Sequence, residues 1–288
     1  MKNFAIPLLA GLVACCAQAP AQKLEFKEHV KKEFSVSAGA GNNTLAVYNI
    51  NGNIKVEGYN GDKVILEIDK TITAKDDETL QKGKEEFKLS FDQKADSIIA
   101  FISGPFDSRP NRNQNRNNER QKINYHFELD FIIKVPFAIN LHLSTVNGGD
   151  VVVNDVTGLL SVHNVNGAIK LTNAKGTAEV RTVNGNIEAN YLAVPSGNSD
   201  FKTLNGDIKI SYPASFSADC RFKTFHGEFY TDFPDTETLP VKVVKNEEIK
   251  SEKTIYKLST ETQIRFGSGG KNYSFETFNG SVYIKKQS

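Results

Sequence analysis

A short unit recurs through this chain, and its spacing leaves few folds open. Written as apolar, polar, Thr or Asn, apolar, Asn-Gly, it occurs at Val47-Tyr48-Asn49-Ile50-Asn51-Gly52, Leu143-Ser144-Thr145-Val146-Asn147-Gly148, Val162-His163-Asn164-Val165-Asn166-Gly167 and Val180-Arg181-Thr182-Val183-Asn184-Gly185. It returns at Phe201-Lys202-Thr203-Leu204-Asn205-Gly206, Phe222-Lys223-Thr224-Phe225-His226-Gly227 and Phe275-Glu276-Thr277-Phe278-Asn279-Gly280, with His226 the one replacement of Asn. From Asn147 through Asn166, Asn184 and Asn205 to His226 the steps are 19, 18, 21 and 21 residues. A period near twenty marks a stacked solenoid.

After each Asn-Gly the chain alternates apolar and polar, as in Ile169-Lys170-Leu171, Ile187-Glu188-Ala189, Ile208-Lys209-Ile210 and Val282-Tyr283-Ile284, which is the period of a strand with one buried face. Asn-Gly between such runs also suits antiparallel hairpins, so a sandwich or barrel is the competing fold. A meander, however, gives no reason for each unit to resemble the one two strands on. A coil does: equivalent positions then lie ~4.8 Å apart, Asn stacks on Asn as a ladder, and Gly permits the corner. The expected fold is therefore all-β, a single-stranded parallel β-helix of 18 to 21 residues per coil with a strand-rich N-terminal cap. One detail resists simple alternation. The apolar positions four and one before each Asn differ in parity, so either the strand bends at the corner with the Thr hydroxyls satisfying backbone groups, or Thr points inward and its Val, Leu or Phe neighbour is exposed.

Three regions depart from the period. Residues 22–140 hold the first repeat and a cap of longer strands, with strand-like Val64–Ile68, a charged stretch Lys75–Glu86, and alternation at Phe87–Phe91, Ile98–Ile102 and Phe127–Ile133. Within them, Asp107–Lys122 carries five basic residues, two acidic ones and five Asn, and reads as a solvated mobile loop, with polyanion capture the sharper alternative. Residues 141–288 hold the remaining repeats, interrupted at 234–265 by an insertion expected to form an extra hairpin on the side of the stack.

Met1–Ala21 reads as an address rather than as fold: Lys2, an apolar run from Phe4 to Ala14, then small residues to Ala21. A second cleavage reading takes Leu12-Val13-Ala14-Cys15 as a lipobox, which makes Cys15 a lipidation candidate and a lipid anchor the only expected membrane contact. Either processing leaves Cys220 as the sole fold cysteine, expected as a small core residue. With 35 Lys and Arg against 34 Asp and Glu the chain has no bulk field for nucleic acid, and no nucleic-acid partner is expected.

The export signal combined with repeated Thr-Val-Asn-Gly and Asn-Gly-x-Ile resembles the bacterial exported "putative adhesin" family of unknown function, related to adhesin-head domains. The resemblance runs from Leu45 to Ile284 and is sharpest over Leu141–Ile210. It implies an extracytoplasmic protein of stacked strands and brings no catalytic residues to carry over. The chain departs from the pattern at His226, at the additional glycine of Asn147-Gly148-Gly149-Asp150, and in its Asn/Arg loop.

Motif chemistry is silent. His29, His126, His142, His163 and His226 show no metal-ligand spacing, and neither a nucleophile elbow nor a phosphate loop occurs. A solenoid can still build a site from columns. Three residues before the Asn position stand His163, Arg181, Lys202 and Lys223, a solvated outer face first and, as the sharper reading, a basic ridge for an anionic glycan or lipid headgroup. One residue after Gly stand Asn186, Asp207 and Glu228, which suit turn geometry first and a cation or acid/base pair second. Seven after Asn stand Tyr191, Tyr212 and Phe233, a core stack or a sugar platform. No cofactor and no metal is expected. The functional expectation is a non-enzymatic, adhesin-like or envelope structural protein whose partner is a surface glycan or an envelope protein. The alternative is a polysaccharide-cleaving β-helix enzyme, which a cleft lined by two carboxylates with a neighbouring Arg or Lys would favour.

Overall fold

The computed structural model describes residues 23–36, 40–110, 123–240, 244–250, 253–259 and 261–287. The signal segment, Cys15 and residues 111–122 of the Asn/Arg loop lie outside the described residues. Each repeat makes one coil of a flattened parallel β-solenoid, contributing one strand to each of two facing sheets. The first sheet runs, in spatial order, Leu24–Ser35, Lys63–Ala74, His126–Pro136, Ile54–Tyr59, Val151–Asn154, Ile169–Ala174, Ile187–Tyr191, Ile208–Tyr212, Val282–Lys286 and Phe229–Thr231. The second runs Thr236–Leu239, Thr262–Phe266, Ala218–Lys223, Lys271–Glu276, Ser199–Lys202, Ala178–Arg181, Leu160–His163, Asn140–Ser144, Thr44–Tyr48, Ser97–Gly104 and Lys88–Gln93.

Coil order departs from chain order at one place. The last repeat is threaded between the two before it: Lys271–Glu276 pairs in parallel with Ser199–Lys202 on one side and Ala218–Lys223 on the other. Val282–Lys286 likewise lies between Ile208–Tyr212 and Phe229–Thr231. The chain steps over an empty rung, leaves the stack through the insertion, and returns to fill the gap with its final residues.

Inward-facing side chains of the two sheets form columns because parallel in-register pairing stacks equivalent positions. Leu143, Val162 and Val180 give way along one column to Phe201, Phe275 and Phe222, all buried. The rings of Phe201 and Phe275 are stacked 5.4 Å apart and nearly parallel, and Phe275 and Phe222 follow at 5.1 Å. Cys220 is buried in the neighbouring column opposite Tyr273, as a small core residue, and burial pushes its thiol well above the usual range.

Antiparallel strands cap both sheets at the N-terminal end of the stack, and the second sheet alone at the far end. The first repeat stacks directly on the coil of residues 140–154, so it is continuous with the array. Beyond it, His126–Pro136 and Ser97–Gly104 still pair in parallel, and then Lys63–Ala74, Leu24–Ser35 and Lys88–Gln93 add antiparallel strands. The charged stretch is not a strand: Asp77–Glu86 is a helix capped by Asp76, whose carboxylate accepts the Thr79 N–H at 2.8 Å. At the far end, Thr262–Phe266 and Thr236–Leu239 extend the second sheet beyond Ala218–Lys223, so part of the insertion continues the stack rather than lying on its side. Only Val244–Lys250 and Lys253–Ser259 form a separate hairpin. The first sheet simply ends at Phe229–Thr231.

Candidate binding surface

The Asn-Gly corner is built from three side-chain columns. In the outermost, each Asn Nδ2 donates to the Oδ1 of the Asn one coil away: Asn147 to Asn51 at 3.2 Å, Asn166 to Asn147 at 3.0 Å, Asn184 to Asn166 at 2.8 Å, Asn205 to Asn184 at 2.7 Å and Asn279 to Asn205 at 2.7 Å. His226 ends the run, with its Nδ1 3.0 Å from the Asn279 Oδ1. In the innermost column Thr points into the core and its hydroxyl donates to the glycine carbonyl of the adjacent coil, as Thr182 does to Gly167, Thr203 to Gly185 and Thr277 to Gly206 at 2.9–3.0 Å. Asn164 serves the same role through its amide at 2.9 Å from the Gly149 carbonyl. The glycines are required by close approach: a Cβ on Gly185 would stand 2.1 Å from the Gly167 carbonyl oxygen. Gly149 is the member of this column in its coil, and Gly148 is the additional residue, at φ +68 with open space around it.

Inward Thr resolves the parity problem and sends its neighbour outward. Val183, Leu204, Phe278 and Phe225 are exposed on successive coils, and the rings of Phe225 and Phe278 stack at 4.8 Å. Ile50, Val146 and Val165 continue this apolar ridge, half-buried, towards the N-terminal end. The sequence pattern left this ridge as the lesser of two readings, because Thr is rarely assigned inward over Val or Phe.

The expected basic ridge needs correction. His163, Arg181 and Lys202 do align across neighbouring strands, but Glu276 of the threaded repeat separates Lys202 from Lys223. Lys202 reaches Glu276 at 2.9 Å and Lys223 reaches it at 3.1 Å. Burial raises the Glu276 pKa, but the hydrogen bonds and charges of the two lysines outweigh it and hold the carboxyl below its usual range. Arg181 is also occupied, at 3.1 Å from Glu179 and 3.4 Å from Asp200. His163 stacks edge-on with His142 at 5.7 Å, and burial, first among the causes, lowers both pKa values.

The acidic corner column is interrupted in the same way. Ser281 stands between Asp207 and Glu228, so no carboxylate pair forms there. These side chains cap backbone: the Asp207 N–H donates to Asn186 Oδ1, the Ser281 N–H to Asp207 Oδ1, and the Glu228 N–H to Ser281 Oγ. Among the described residues no cluster of His, Cys, Asp or Glu could hold a metal ion. Tyr191 and Tyr212 are fully buried and stacked at 5.1 Å, with Phe233 packed on Phe216, so the third column is core and not a sugar platform. Arg109, expected in a solvated loop, is pinned between Asp92 and Asp107 with its guanidinium 3.7 Å above the Phe101 ring.

One depression of about 570 Å³ marks the outer face of the second sheet, lined by residues including Glu179, Arg181, Asp200 and Arg221. Glu179 and Asp200 are direct partners on adjacent strands. Its residue types meet the expectation for an enzyme, but its geometry does not: Arg181 bridges both carboxylates, and the floor is an open sheet rather than a closed cleft.

Two sheets of parallel coils, an unbroken amide ladder and a glycine-walled corner define a β-solenoid of the toast-rack type. A family model matches residues 138–285, and the chain belongs to the Toastrack DUF4097 family, the adhesin-like group of unknown function that the repeat resembles. Comparison with curated proteins gave no match. Among solved structures, the chain is similar to one described as a putative cell adhesion protein from Clostridium sporogenes, at 11% identity and TM-score 0.41, covering 90% of this chain and 100% of that one. A putative adhesin from Bacteroides fragilis aligns at 11% identity and TM-score 0.36, covering 90% and 97%. A putative lipid binding protein from Parabacteroides distasonis aligns at 10% and 0.28 over the same shares.

Proposed function

We propose that this chain is an exported, non-enzymatic adhesin-like or envelope structural protein that acts by presenting a rigid array of outward side chains to a surface glycan or envelope protein. The observation that supports it most is the continuous corner. Amide, hydroxyl and backbone bonds tie seven successive coils together and fix the spacing of every outward column. Glu179, Asp200 and Glu276 are ion-paired and Asp207 caps backbone, which suits presentation better than turnover. No helix among the described residues is long and apolar enough to cross a membrane. An export segment at Met1–Ala21, with Cys15 as the lipidation alternative, belongs to this proposal, as does an extracytoplasmic location.

The test is a glycan array probed with the purified mature chain, with reducing-end release measured in the same samples. Binding to anionic or neutral glycans without release is the expected result. Release of reducing ends that disappears in Glu179→Gln and Asp200→Asn would replace this reading with the polysaccharide-cleaving one.

A further inference from the structure

The apolar ridge at the corner is a surface feature that the proposed function leaves unused. Four consecutive coils expose Val183 (36%), Leu204 (45%), Phe278 (43%) and Phe225 (69%), so side-chain size grows towards the end where the first sheet stops, and exposure is greatest there. A run of exposed apolar side chains on adjacent rungs is an interaction surface rather than ordinary surface scatter.

What flanks it identifies the partner. On the side of the second sheet stands the column that includes Arg181, Lys202 and Lys223, which remains net positive with Glu276 in it. On the side of the first sheet stand Asp150, Asp207 and Glu228. Between ridge and acids runs the Asn ladder. Each amide uses one Nδ2 hydrogen and one Oδ1 lone pair within the ladder, leaving one donor and one acceptor per rung for a visitor. The corner therefore offers an apolar stripe and hydrogen-bonding groups on rungs ~4.8 Å apart, with a margin of net positive charge broken at Glu276 on one side and an acidic margin broken at Ser281 on the other.

We infer that this corner is a homotypic interface, on which a second copy of the chain packs side by side and pointing the same way. A partner that meets every rung must share the rung spacing, and another copy of this ladder does. A two-fold axis parallel to the stack and passing through the ridge lays Phe225, Phe278 and Leu204 on their own counterparts. The same rotation puts the basic margin of each copy across the amide ladder and acidic margin of the other, with Lys202 towards Asp207 and Lys223 towards Glu228. The antiparallel arrangement, with the axis perpendicular to the stack, sets basic against basic and is disfavoured. Two convex corners bury less than a standard interface of ~800 Å² per partner, so the contact is weak in dilute solution and gains strength where many copies sit on one surface. It stands whether or not a glycan is bound, so a failed glycan array leaves it untouched.

The experiment is sedimentation velocity on the mature chain, raised to the order of 1 mM because interfaces below standard size dissociate in the micromolar to millimolar range. Self-association that rises with concentration, and that falls at least ten-fold in Phe225→Ser/Phe278→Ser, is expected. Those two side chains are exposed, so the variant should keep its melting temperature. Orientation is read by charge exchange. One variant carries Lys202→Glu, Glu276→Lys and Lys223→Glu, which preserves the internal pairing with its sign reversed. The other carries Asp207→Asn and Glu228→Lys, which keeps the Oδ1 that caps Ser281. Each alone should be monomeric, and an equimolar mixture should recover a one-to-one complex. A wild-type chain that stays monomeric throughout, a Phe variant that associates as well as wild type, or folded charge variants that fail to recover on mixing would each overturn the inference.

Discussion

At the scale of single residues, the corner depends on groups whose chemistry is not interchangeable with their shape. Thr203 Oγ1 donates to the Gly185 carbonyl at 2.9 Å in a site closed to water. Thr203→Val keeps the volume and orphans that carbonyl, and should lower stability by about 1–2 kcal/mol in urea unfolding, whereas Thr203→Ser should recover most of the loss. Gly185→Ala is expected to do more damage, about 2–4 kcal/mol, because its Cβ meets the Gly167 backbone oxygen at 2.1 Å and backbone cannot rotate away. A Gly185→Ala variant as stable as wild type would mean that the coils are spaced more loosely than the ladder distances require. Asn-Gly suggested freedom of φ as the reason for glycine, yet Gly185 shows no positive φ, and the demand comes from the neighbouring coil.

At the scale of strands and columns, legibility depended on whether neighbours in space were neighbours in sequence. The ladder from Asn147 to Asn205 could be read from the repeat because those coils follow one another in the chain. The basic and acidic columns could not. Glu276 and Ser281 arrive from the last repeat, 53 residues after Lys223 and Glu228 respectively, and no periodicity announces that they settle between earlier rungs. The helix Asp77–Glu86 was missed because it is short and largely polar. Its signal was the cap, Asp76 three residues before Thr79, followed by acids in the first turn. The strands of His142 and His163 carry a pH dependence of their own. Burial lowers both pKa values beneath the ordinary 6.5, so the unfolded chain binds these protons more readily than the folded one. Their contribution to stability is complete above 6.5 and is lost as pH falls through the lowered values. Thermal melts should drop on acidification from neutral pH towards 5, and His142→Gln/His163→Gln should flatten that slope. A double variant with the wild-type slope would assign the dependence to other groups.

At the scale of the molecule, a solenoid distributes stability among contacts between adjacent coils, so damage stays near its source. Truncation after Gly270 removes the rung between residues 199–212 and 218–231, and with it the buried Tyr273, Phe275, Val282 and Ile284. Hydrogen exchange on the truncated chain should show protection kept across residues 140–191 and lost across 218–231. Uniform loss would instead indicate one cooperative unit. The same threading sets an order of assembly. Synthesis runs from the N-terminus, so Ala218–Lys223 and Phe229–Thr231 are made before the strands that will separate them from the coil below. Until the final residues emerge, Lys202 and Lys223 have no shared acid between them and His226 has no amide on which to rest. The strands Lys271–Glu276 and Val282–Lys286, in effect, shut the drawer, and a cargo inserted directly behind Lys286 would hang from the very piece that must slide in last.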